Sequence, residues 1–362
     1  MRLLLIDATA DTSSRDYFDG YAAALKRAGV EIYVYNANGR IGVAASWLDY
    51  CWQKGKRLGE DRPRPNALDT LYHAGIWSLE MALRLDPDWI VVVAGMYFSK
   101  LNMQLLRKAS YPFSKMALMI CDAPFDDNQI VNCLGLYDQI FVNEQASVPI
   151  YQQFNPEVTY LPACYDPERH HPAIEIPEDT PSHDVLFVGS AFRERVDLLS
   201  AVDWTGIDFA LYGNWSGLGS RSKLRQYVRG GPVGNDQAAQ LYRAAKVCLN
   251  LHRSRLSSPP VPLPPGMAKS LNPRAYELAA CGAFTLSDRR DELPAVFGDL
   301  VPTFSTPKEL EGLIRAYVPA EPLRRSVAAR LPAAVAGHTY DARTATLLEV
   351  LGRAEPLAAR AG

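Results

Sequence analysis

The N-terminal half of the chain alternates short, continuously apolar runs with longer segments of mixed character. The run Ile90–Ala94 has no polar side chain, which is typical of a strand covered on both faces of a parallel sheet. Five strands are predicted in this half: Arg2–Asp7, Val30–Asn36, Trp89–Gly95, Lys115–Asp122 and Gln139–Asn143. Helical segments are predicted between them: Arg15–Ala28, Ala67–Leu85 and Ser99–Ala109. Repeated strand–helix units of this kind indicate a doubly wound domain.

The same pattern resumes after a segment without usable periodicity. Residues 167–182 are rich in proline and charge and are predicted to link two domains. Five more strands are predicted beyond this linker: Asp184–Gly189, Phe209–Gly213, Val247–Leu251, Phe284–Ser287 and Val301–Phe304. We therefore expect domains at residues 1–166 and 183–335, followed by a helical tail at 336–362. The predicted fold class is α/β, with two Rossmann-like doubly wound domains facing a cleft, the usual place for a ligand.

Composition and charge narrow the class of protein. Of 362 residues, 48% are apolar and 22% are charged, which is typical of a globular chain, and the net charge of -2 does not favour binding to nucleic acid through phosphate contacts alone. The six cysteines include no CxxC pair, so buried thiols in a reducing compartment are favoured over a zinc site. The apolar start is too short for a signal peptide, and no stretch approaches the ~20 apolar residues of a membrane span. A cytoplasmic protein with no metal site and no membrane span is expected.

Polar residues after the first predicted strand are candidates for contact with an acceptor. The turn lacks the GxGxxG fingerprint, which disfavours a nicotinamide or flavin dinucleotide in this half. Asp11 and Thr12 are the candidate acceptor contacts. Capping of the helix that follows is the simpler interpretation of the same residues.

The fourth predicted strand ends in three carboxylates within six residues. Such a group can bind a divalent metal or act as a general base. Asp126 and Asp127 are interpreted as caps of the next helix. Asp122 is therefore the candidate catalytic residue that faces the cleft.

A glycine–serine turn follows the first predicted strand of the second half. Gly189 permits close approach of the backbone, Ser190 offers a hydroxyl, and the helix that follows presents N–H groups to an anion. Arg193 and Arg195 on that helix are candidates to bind a phosphate. The alternative is an exposed helix whose arginines bind nothing.

An aromatic turn follows the next predicted strand. Tyr212, Gly213 and Trp215 are candidates to hold a nucleobase, with a ring stacked on it and the backbone reading its edge. Ordinary core aromatics are the competing interpretation.

The segment Ser270–Asp288 has the strongest signal in the sequence. Asn272 is a good N-cap, the proline after it fits the first helical position, and Gly282 ends the helix before a strand. Arg274 and Glu277, three residues apart, share one face of that helix. The arrangement suits a ligand, with the arginine and N–H groups for a diphosphate and the glutamate for ribose hydroxyls. A surface ion pair is the alternative.

These residues resemble a known family. The string Tyr276–Gly282 (YELAACG), followed by a strand and an acidic turn, resembles the EAMACG region of group 1 glycosyltransferases. The longer string Ser270–Phe284 is similar to the CgeB or spore-maturation-like branch, as are Leu249–Arg253, Val301–Phe304 and His338–Tyr340. The similarity covers most of residues 184–345, whereas the N-terminal half matches only in architecture.

The resemblance implies a GT-B enzyme that moves a sugar from a nucleotide-sugar donor, for example a UDP-sugar, to an acceptor. The acceptor is left open among glycan, small molecule, protein and nucleic acid. By this resemblance Glu277 would bind the ribose, Arg274 and the Ser190–Arg195 turn the phosphates, and Tyr212–Trp215 the base. The family generally needs no tightly bound metal, because positive side chains and helix termini stabilise the departing diphosphate.

One departure from the family concerns the donor sugar. The wider group has a second acid eight residues before its conserved glutamate, whereas this chain has Lys269 there and no acid between it and His252. Arg253 in this basic stretch is a further candidate donor contact, and His252 or Asp122 is a candidate to contact the sugar. Residues 256–267, rich in proline, are interpreted as a lid, an acceptor-facing loop or a passive loop. A retaining or inverting outcome is left open, as are a GT-B-fold epimerase and a non-catalytic nucleotide-binding module.

Overall fold

The computed structural model describes residues 1–9, 12–95, 97–125, 130–253 and 268–353, apart from the side chains of Thr12 and Ser13. Contacts between residues divide the chain into two compact units. The first takes in Met1–Pro162 and the chain from Arg343 onward, and the second takes in the described residues between Ala163 and Ala342. Each unit is built on a parallel sheet of its own.

The first sheet has six parallel strands among the described residues: Arg2–Asp7 (β1), Glu31–Asn36 (β2), Trp89–Val93 (β3), Lys115–Ile120 (β4), Gln139–Val142 (β5) and Val158–Tyr160 (β6). Their order is β2-β1-β3-β4-β5-β6, so the chain moves outward from β1 in both directions, as in doubly wound folds. The five strands predicted here are confirmed. The sixth, β6, is short and half-buried and was not predicted.

The helices of the first unit are Thr12–Arg27 (α1), Ala37–Arg57 (α2), Ala67–Gly75 (α3), Trp77–Leu85 (α4), Lys100–Ser110 (α5) and Val148–Tyr151 (α6). Short 3-10 helices lie at Val131–Leu136 and Gln145–Ser147. The single helix predicted at 67–85 is divided in two at Ile76. Next to this point the Nδ2 of Asn102 donates to the carbonyl of Tyr72 at 2.9 Å and lies against Gly75, where a Cβ would be 2.1 Å away. The long helix α2 was not predicted.

The second sheet also has six parallel strands among the described residues: Val185–Val188 (β7), Phe209–Tyr212 (β8), Val228–Gly230 (β9), Val247–Asn250 (β10), Thr285–Asp288 (β11) and Thr303–Phe304 (β12). Their order is β12-β11-β10-β7-β8-β9. Five of them confirm predicted strands, and the short edge strand β9 was not predicted. The α/β fold of two Rossmann-like domains is therefore confirmed.

The helices of the second unit are Arg193–Ser200 (α7), Asn235–Ala244 (α8), Pro273–Ala280 (α9), Leu293–Phe297 (α10), Pro307–Tyr317 (α11), Glu321–Ala328 (α12) and Leu331–Val335 (α13), with a 3-10 helix at Lys223–Tyr227. The last helix, Tyr340–Arg353 (α14), begins in the second unit and is counted with the first from Arg343 onward. No helix in the described part of the chain is both long enough and apolar enough to cross a bilayer.

Both faces of the second sheet are buried. Phe187 and Phe209 pack into the core on one face, while Leu186 and Ala210, their neighbours along the strands, pack into the core on the other. Successive side chains of a strand point to opposite faces, so a strand covered on both sides must be continuously apolar. This packing explains the apolar runs in the sequence. Because the strands are parallel, their carboxyl ends lie at one edge of the sheet.

Trp204 is the residue whose loss should most weaken the core of the second unit. Its ring stacks on Phe209 with centroids 3.6 Å apart, and its Nε1 donates to the carbonyl of Leu199 at 2.9 Å. Trp204→Ala leaves a large cavity and should lower the free energy of unfolding by about 3–5 kcal/mol. Urea unfolding followed by circular dichroism measures the loss. Leu68→Ala, at an exposed position of α3, is the control, and an equal loss in both variants would contradict the assignment of the core.

Candidate functional site

The candidate site lies at the carboxyl ends of the strands of the second sheet. Gly189 follows β7, Gly213 follows β8, His252 lies two residues after β10, and Asp288 is the last residue of β11. Helix α9 carries Arg274 in its first turn. In open α/β sheets the carboxyl edge is where ligands bind.

Two glycines meet in close backbone contact at this edge. The amide of Gly189 donates to the carbonyl of Tyr212 at 2.8 Å. A Cβ on Gly213 would lie 2.3 Å from the carbonyl oxygen of Gly189. The φ of Gly213 is +119°, a value that residues other than glycine rarely adopt. A Cβ on Gly189 would lie 2.9 Å from the Nη2 of Arg274. The glycines thus leave space for the arginine directly against the backbone.

Three arginines and two phenylalanines of the site alternate in a stack, which we call the arginine–phenylalanine ladder. The Cζ of Arg274 lies 5.2 Å from the ring centroid of Phe187, and that of Arg195 lies 5.4 Å from the same ring. Arg195 is also 4.8 Å from the ring of Phe192, and Arg253 is 4.7 Å from it. Aromatic faces attract cations at these distances and hold the guanidinium planes in place.

Arg195 is a structural member of the ladder. Its Nη1 donates to the carbonyl of Ser190 at 3.1 Å and its Nη2 donates to the carbonyl of Leu251 at 2.9 Å, so it joins the turns after β7 and β10. Burial, reinforced by the nearby Arg274, lowers the pKa of Arg195 to about 9. The prediction that Arg195 forks onto a phosphate is not favoured, because both of its terminal nitrogens are bonded to protein carbonyls.

Arg274 is held in place but is not paired within the described part of the chain. Its Nε and Nη1 are buried without a hydrogen-bond partner there, and it forms no ion pair with Glu277 among those residues. Asn272 caps α9 as predicted, with its Oδ1 accepting from the amide of Ala275 at 3.0 Å. Buried charged donors without acceptors are costly, so an anion at this point would relieve the cost.

The turn between β7 and α7 separates two residues that were predicted together. The amide and hydroxyl of Ser190 have no hydrogen-bond partner in the described chain, which fits the predicted anion contact. Arg193, by contrast, lies on the exposed face of α7, with its Nε 3.9 Å from the Oδ2 of Asp197. This position agrees with the competing interpretation, an exposed helical arginine, and the phosphate contact of Arg193 stays a prediction that no contact in the described residues supports.

The aromatic residues predicted to hold a base are core residues. Tyr212 is buried, and its hydroxyl lies 3.4 Å from the Nε2 of His183. Trp215 is buried edge-on to Phe187, and its Nε1 donates to the carbonyl of Tyr212 at 3.2 Å. Neither ring presents a face for stacking, so the prediction of a base platform is corrected. Of the three predicted residues, Gly213 alone lies at the carboxyl edge of the sheet in a role that needs glycine, because its positive φ brings its backbone against Gly189.

His252 forms a buried pair with Asp288. The Nδ1 of His252 lies 2.6 Å from the Oδ1 of Asp288, which also accepts from the backbone amide of His252 at 3.1 Å. Burial raises the pKa of Asp288, but the contacts from His252 and Arg290 outweigh it and hold that pKa below its usual value. Burial, together with Arg290 and Arg274, lowers the pKa of His252 and outweighs the opposing effect of Asp288. The pair is therefore a carboxylate beside a neutral imidazole.

These protonation states fix the tautomer of His252. A carboxylate can only accept, so Nδ1 must donate to Asp288 and Nε2 must carry the lone pair. That Nε2 is buried without a hydrogen-bond partner among the described residues. His252 thus offers an oriented acceptor for a hydroxyl group.

Arg290 is a site residue that sequence reasoning missed. It donates through Nη1 to the carbonyl of Ala268 at 2.5 Å and through Nη2 to the carbonyl of Arg253. It thereby ties both ends of the basic stretch to the turn after β11. Asp288 was also missed as a functional group, although its place at the end of a predicted strand beside that of His252 was a usable signal.

The candidates of the first unit are less completely described. Asp11 lies outside the described residues, as do Asp126, Asp127 and the segment 254–267, and Thr12 is described only as the first residue of α1. Asp122 follows β4 and is half-buried, and the amide of Phe125 donates to its carbonyl at 2.9 Å. At the end of β1 the structure instead shows a buried carboxylate, Asp7, whose Oδ2 lies 2.6 Å from the Nη1 of Arg15.

Comparisons with known proteins agree with this architecture. Residues 193–349 match the family model described as "Glycosyl transferase-like". No curated protein matches the chain significantly. The C-terminal part of the chain is therefore similar to glycosyltransferases, and the CgeB-like branch stays a prediction.

Similar solved structures cover nearly the whole chain. Sucrose-phosphate synthase from Thermosynechococcus elongatus aligns with a TM-score of 0.65 and 14% identity over 98% of each chain. An α-glucosyltransferase in complex with UDP and a 13-mer DNA aligns with a TM-score of 0.64 and 12% identity over 98% of this chain and 100% of that one. An α,α-trehalose-phosphate synthase from Burkholderia vietnamiensis aligns with a TM-score of 0.62 and 12% identity over 99% of this chain and 98% of that one. These likenesses establish the GT-B fold.

The contact between the two glycines should be essential to the stability of this edge. Gly213→Ala places a Cβ against the carbonyl of Gly189 at an unfavourable φ, so the free energy of unfolding should fall by about 1–3 kcal/mol. Urea unfolding measures it. Gly217→Ala in the same loop is the matched control, because its Cβ would meet no atom within 4 Å. Equal stability of the two variants would rule out the close contact.

The His252–Asp288 pair should make stability depend on pH. The pKa values of His252 and Asp288 are both lower in the folded state than in the unfolded state, so the unfolded state binds protons first as the pH falls. The free energy of unfolding should therefore be highest near neutral pH and should decrease below about 6.5, the ordinary pKa of histidine. Each proton contributes a slope of up to about 1.4 kcal/mol per pH unit. Urea midpoints between neutral and acidic pH should fall less steeply in His252→Asn. The exposed His73→Asn serves as the control, and an unchanged slope in His252→Asn refutes the assignment.

Proposed function

We propose that this chain transfers a glycosyl group from a nucleotide-sugar donor whose diphosphate is bound at Arg274. The observation that carries the proposal is the guanidinium of Arg274, which lies against Gly189 in the first turn of α9 and whose Nε and Nη1 are buried without an acceptor among the described residues. A fork of N–H donors fits the oxygens of a phosphate in two parallel bonds. The match of residues 193–349 to a glycosyltransferase-like family supports sugar transfer in general.

The charge around Arg274 suits a diphosphate. The buried Arg195 is influenced by two other arginines, Arg274 and Arg253, and by two carboxylates, those of Glu194 and Asp288, so positive charge is in excess around it. The amide and hydroxyl of Ser190 and the N-terminus of α9 add neutral donors on the same edge. These groups would stabilise the negative charge that develops on the departing diphosphate, a role that positive side chains can fill without a tightly bound metal.

Glu277 is proposed to bind the ribose. It lies three residues after Arg274 on α9 and is half-buried, and among the described residues its carboxylate has neither a hydrogen-bond partner nor an ion pair. A carboxylate accepts hydrogen bonds from two neighbouring hydroxyls, which is the arrangement that a ribose offers. Because positions three apart share a helix face, a nucleotide held by Arg274 brings its ribose to Glu277.

His252 is proposed to contact the donor sugar. Its Nε2 carries a lone pair and needs a donor, and Asp288 holds the ring in that orientation. The resemblance predicts an acid at position 269, where this chain has a lysine. In this proposal the neutral imidazole of His252 takes the place of that carboxylate as the acceptor for a sugar hydroxyl. Asp288 acts through His252 and is a positioning residue. Asp122 stays a candidate for the chemical step on the first unit.

Binding of UDP and UDP-sugars tests the proposal. Arg274→Ala removes a charged, bidentate contact worth about 1.5–3 kcal/mol, so the dissociation constant should rise about 10- to 100-fold. Glu277→Ala should abolish most of the shift in melting temperature that the nucleotide produces. Arg193→Ala is the matched control, because it removes an arginine from an exposed helix face that the site does not use.

The outcomes distinguish the proposal from its rivals. Release of UDP from a UDP-sugar with transfer to an acceptor supports it, whereas epimerised donor without an acceptor indicates the epimerase. Tight nucleotide binding with no turnover indicates a binding module. If no nucleotide raises the melting temperature, or if Arg193→Ala weakens binding as much as Arg274→Ala, the proposed site is wrong.

A further inference from the structure

Helix α2 of the first unit is unusually exposed. Of its 21 residues only Ala37, Ala44 and Gly55 are buried. On the exposed surface, six positions at alternating spacings of three and four form one stripe, which we call the α2 stripe: Arg40, Val43, Trp47, Tyr50, Lys54 and Arg57. At a rise of 1.5 Å per residue the stripe is about 25 Å long. Nothing in the site described above uses it.

The middle of the α2 stripe is apolar and aromatic. Val43 is 72% exposed, Trp47 59% and Tyr50 57%, and the rings of Trp47 and Tyr50 stack with centroids 5.9 Å apart. Trp77 on α4, 57% exposed, extends this surface across a hollow of about 590 Å³ that it lines together with Val43 and Trp47. Exposed apolar surface of this extent on one face marks an interaction site.

The ends of the α2 stripe are cationic. Arg40 lies at one end, and Lys54 and Arg57 lie at the other, and none of the three forms an ion pair within the described residues. The acid of this helix, Asp49, is off the stripe and is neutralised by Arg64, whose Nη2 lies 3.1 Å from its Oδ1. The stripe therefore presents unpaired positive charge on both sides of its aromatic centre.

We propose that the α2 stripe docks on a membrane surface that contains anionic phospholipid. Tryptophan and tyrosine rings favour the boundary between headgroups and acyl chains, and the long stems of lysine and arginine let their charges reach lipid phosphates. A helix with apolar residues in the centre and cations at its edges lies in the plane of that boundary. The proposal concerns the first unit alone and does not depend on the proposed function.

The pattern fits a lipid surface better than a partner helix. Spacings of three and four also form the seam of a coiled coil, but a seam needs apolar residues at nearly all of its positions. Half of the positions of the α2 stripe are cations, which a partner protein would have to match with acids at both ends. An anionic bilayer supplies phosphates at every position, so charge complementarity needs no special register.

Flotation with lipid vesicles tests the docking surface. The full chain should float with vesicles of phosphatidylcholine and phosphatidylglycerol, bind vesicles of phosphatidylcholine alone weakly, and lose binding as salt is raised, because the charges are exposed. The emission of Trp47 and Trp77 should shift to shorter wavelength on binding as their rings leave water.

Two kinds of variant separate the charges from the aromatic centre. Lys54→Glu with Arg57→Glu should weaken binding to anionic vesicles by at least about tenfold, since each cation near such a surface contributes about a factor of five. Trp47→Ser should weaken binding to a similar degree and reduce the spectral shift. Lys26→Glu with Lys108→Glu, at exposed ends of α1 and α5, changes the net charge equally and should leave binding unchanged.

Three results would overturn the proposal. One is that the chain does not float with anionic vesicles. Another is that the control pair loses as much binding as Lys54→Glu with Arg57→Glu, which would indicate a general charge effect. The third is that Trp47→Ser abolishes self-association in gel filtration and leaves vesicle binding intact, which would assign the surface to a protein partner. The melting temperature of each variant shows that it is folded.

Discussion

The candidate site of the second unit is organised around the guanidinium of Arg274. It lies against the ring of Phe187, and its Nε and Nη1 are buried without an acceptor among the described residues. Its neighbours make this position possible, because Gly189 leaves room for Arg274, Gly213 leaves room for Gly189, and Arg195 near the same ring joins the turns after β7 and β10. A cation held in place in this way would make the proposed anion site electrostatically preorganised.

Much of the fold could be predicted because both sheets are covered on both faces. Continuous apolar runs then coincide with strands, and ten of the strands were found in this way. The short edge strands β6 and β9 were not predicted, because they are half-exposed and lack such runs. Helix α2 escaped for a related reason, since a helix with three buried residues has no inward apolar stripe and its aromatic residues face solvent.

The site was predicted less completely, because the sequence gives the identity of a residue but not the direction of its side chain. Asn272 and Arg274 were placed correctly since capping and helix position are local properties. Arg193 and Arg195 are two residues apart and point in different directions, one to solvent and one into the core. Tyr212 lies on the covered face of the sheet, where burial of its ring outweighs any contact with a ligand. The pairing of His252 with a residue 36 positions away depends on strand order, which no local pattern contains.

The proposed function requires this edge of the second sheet to recognise a diphosphate through preorganised positive charge. Isothermal titration of the full chain with UDP and with uridine, at low and at high salt, tests it most directly. UDP should bind at least about tenfold more tightly than uridine, because only UDP carries phosphate oxygens that can accept from Arg274. Raising the salt concentration should reduce this difference in affinity. Equal affinities for the two ligands, or no binding of UDP at low salt, would contradict the account.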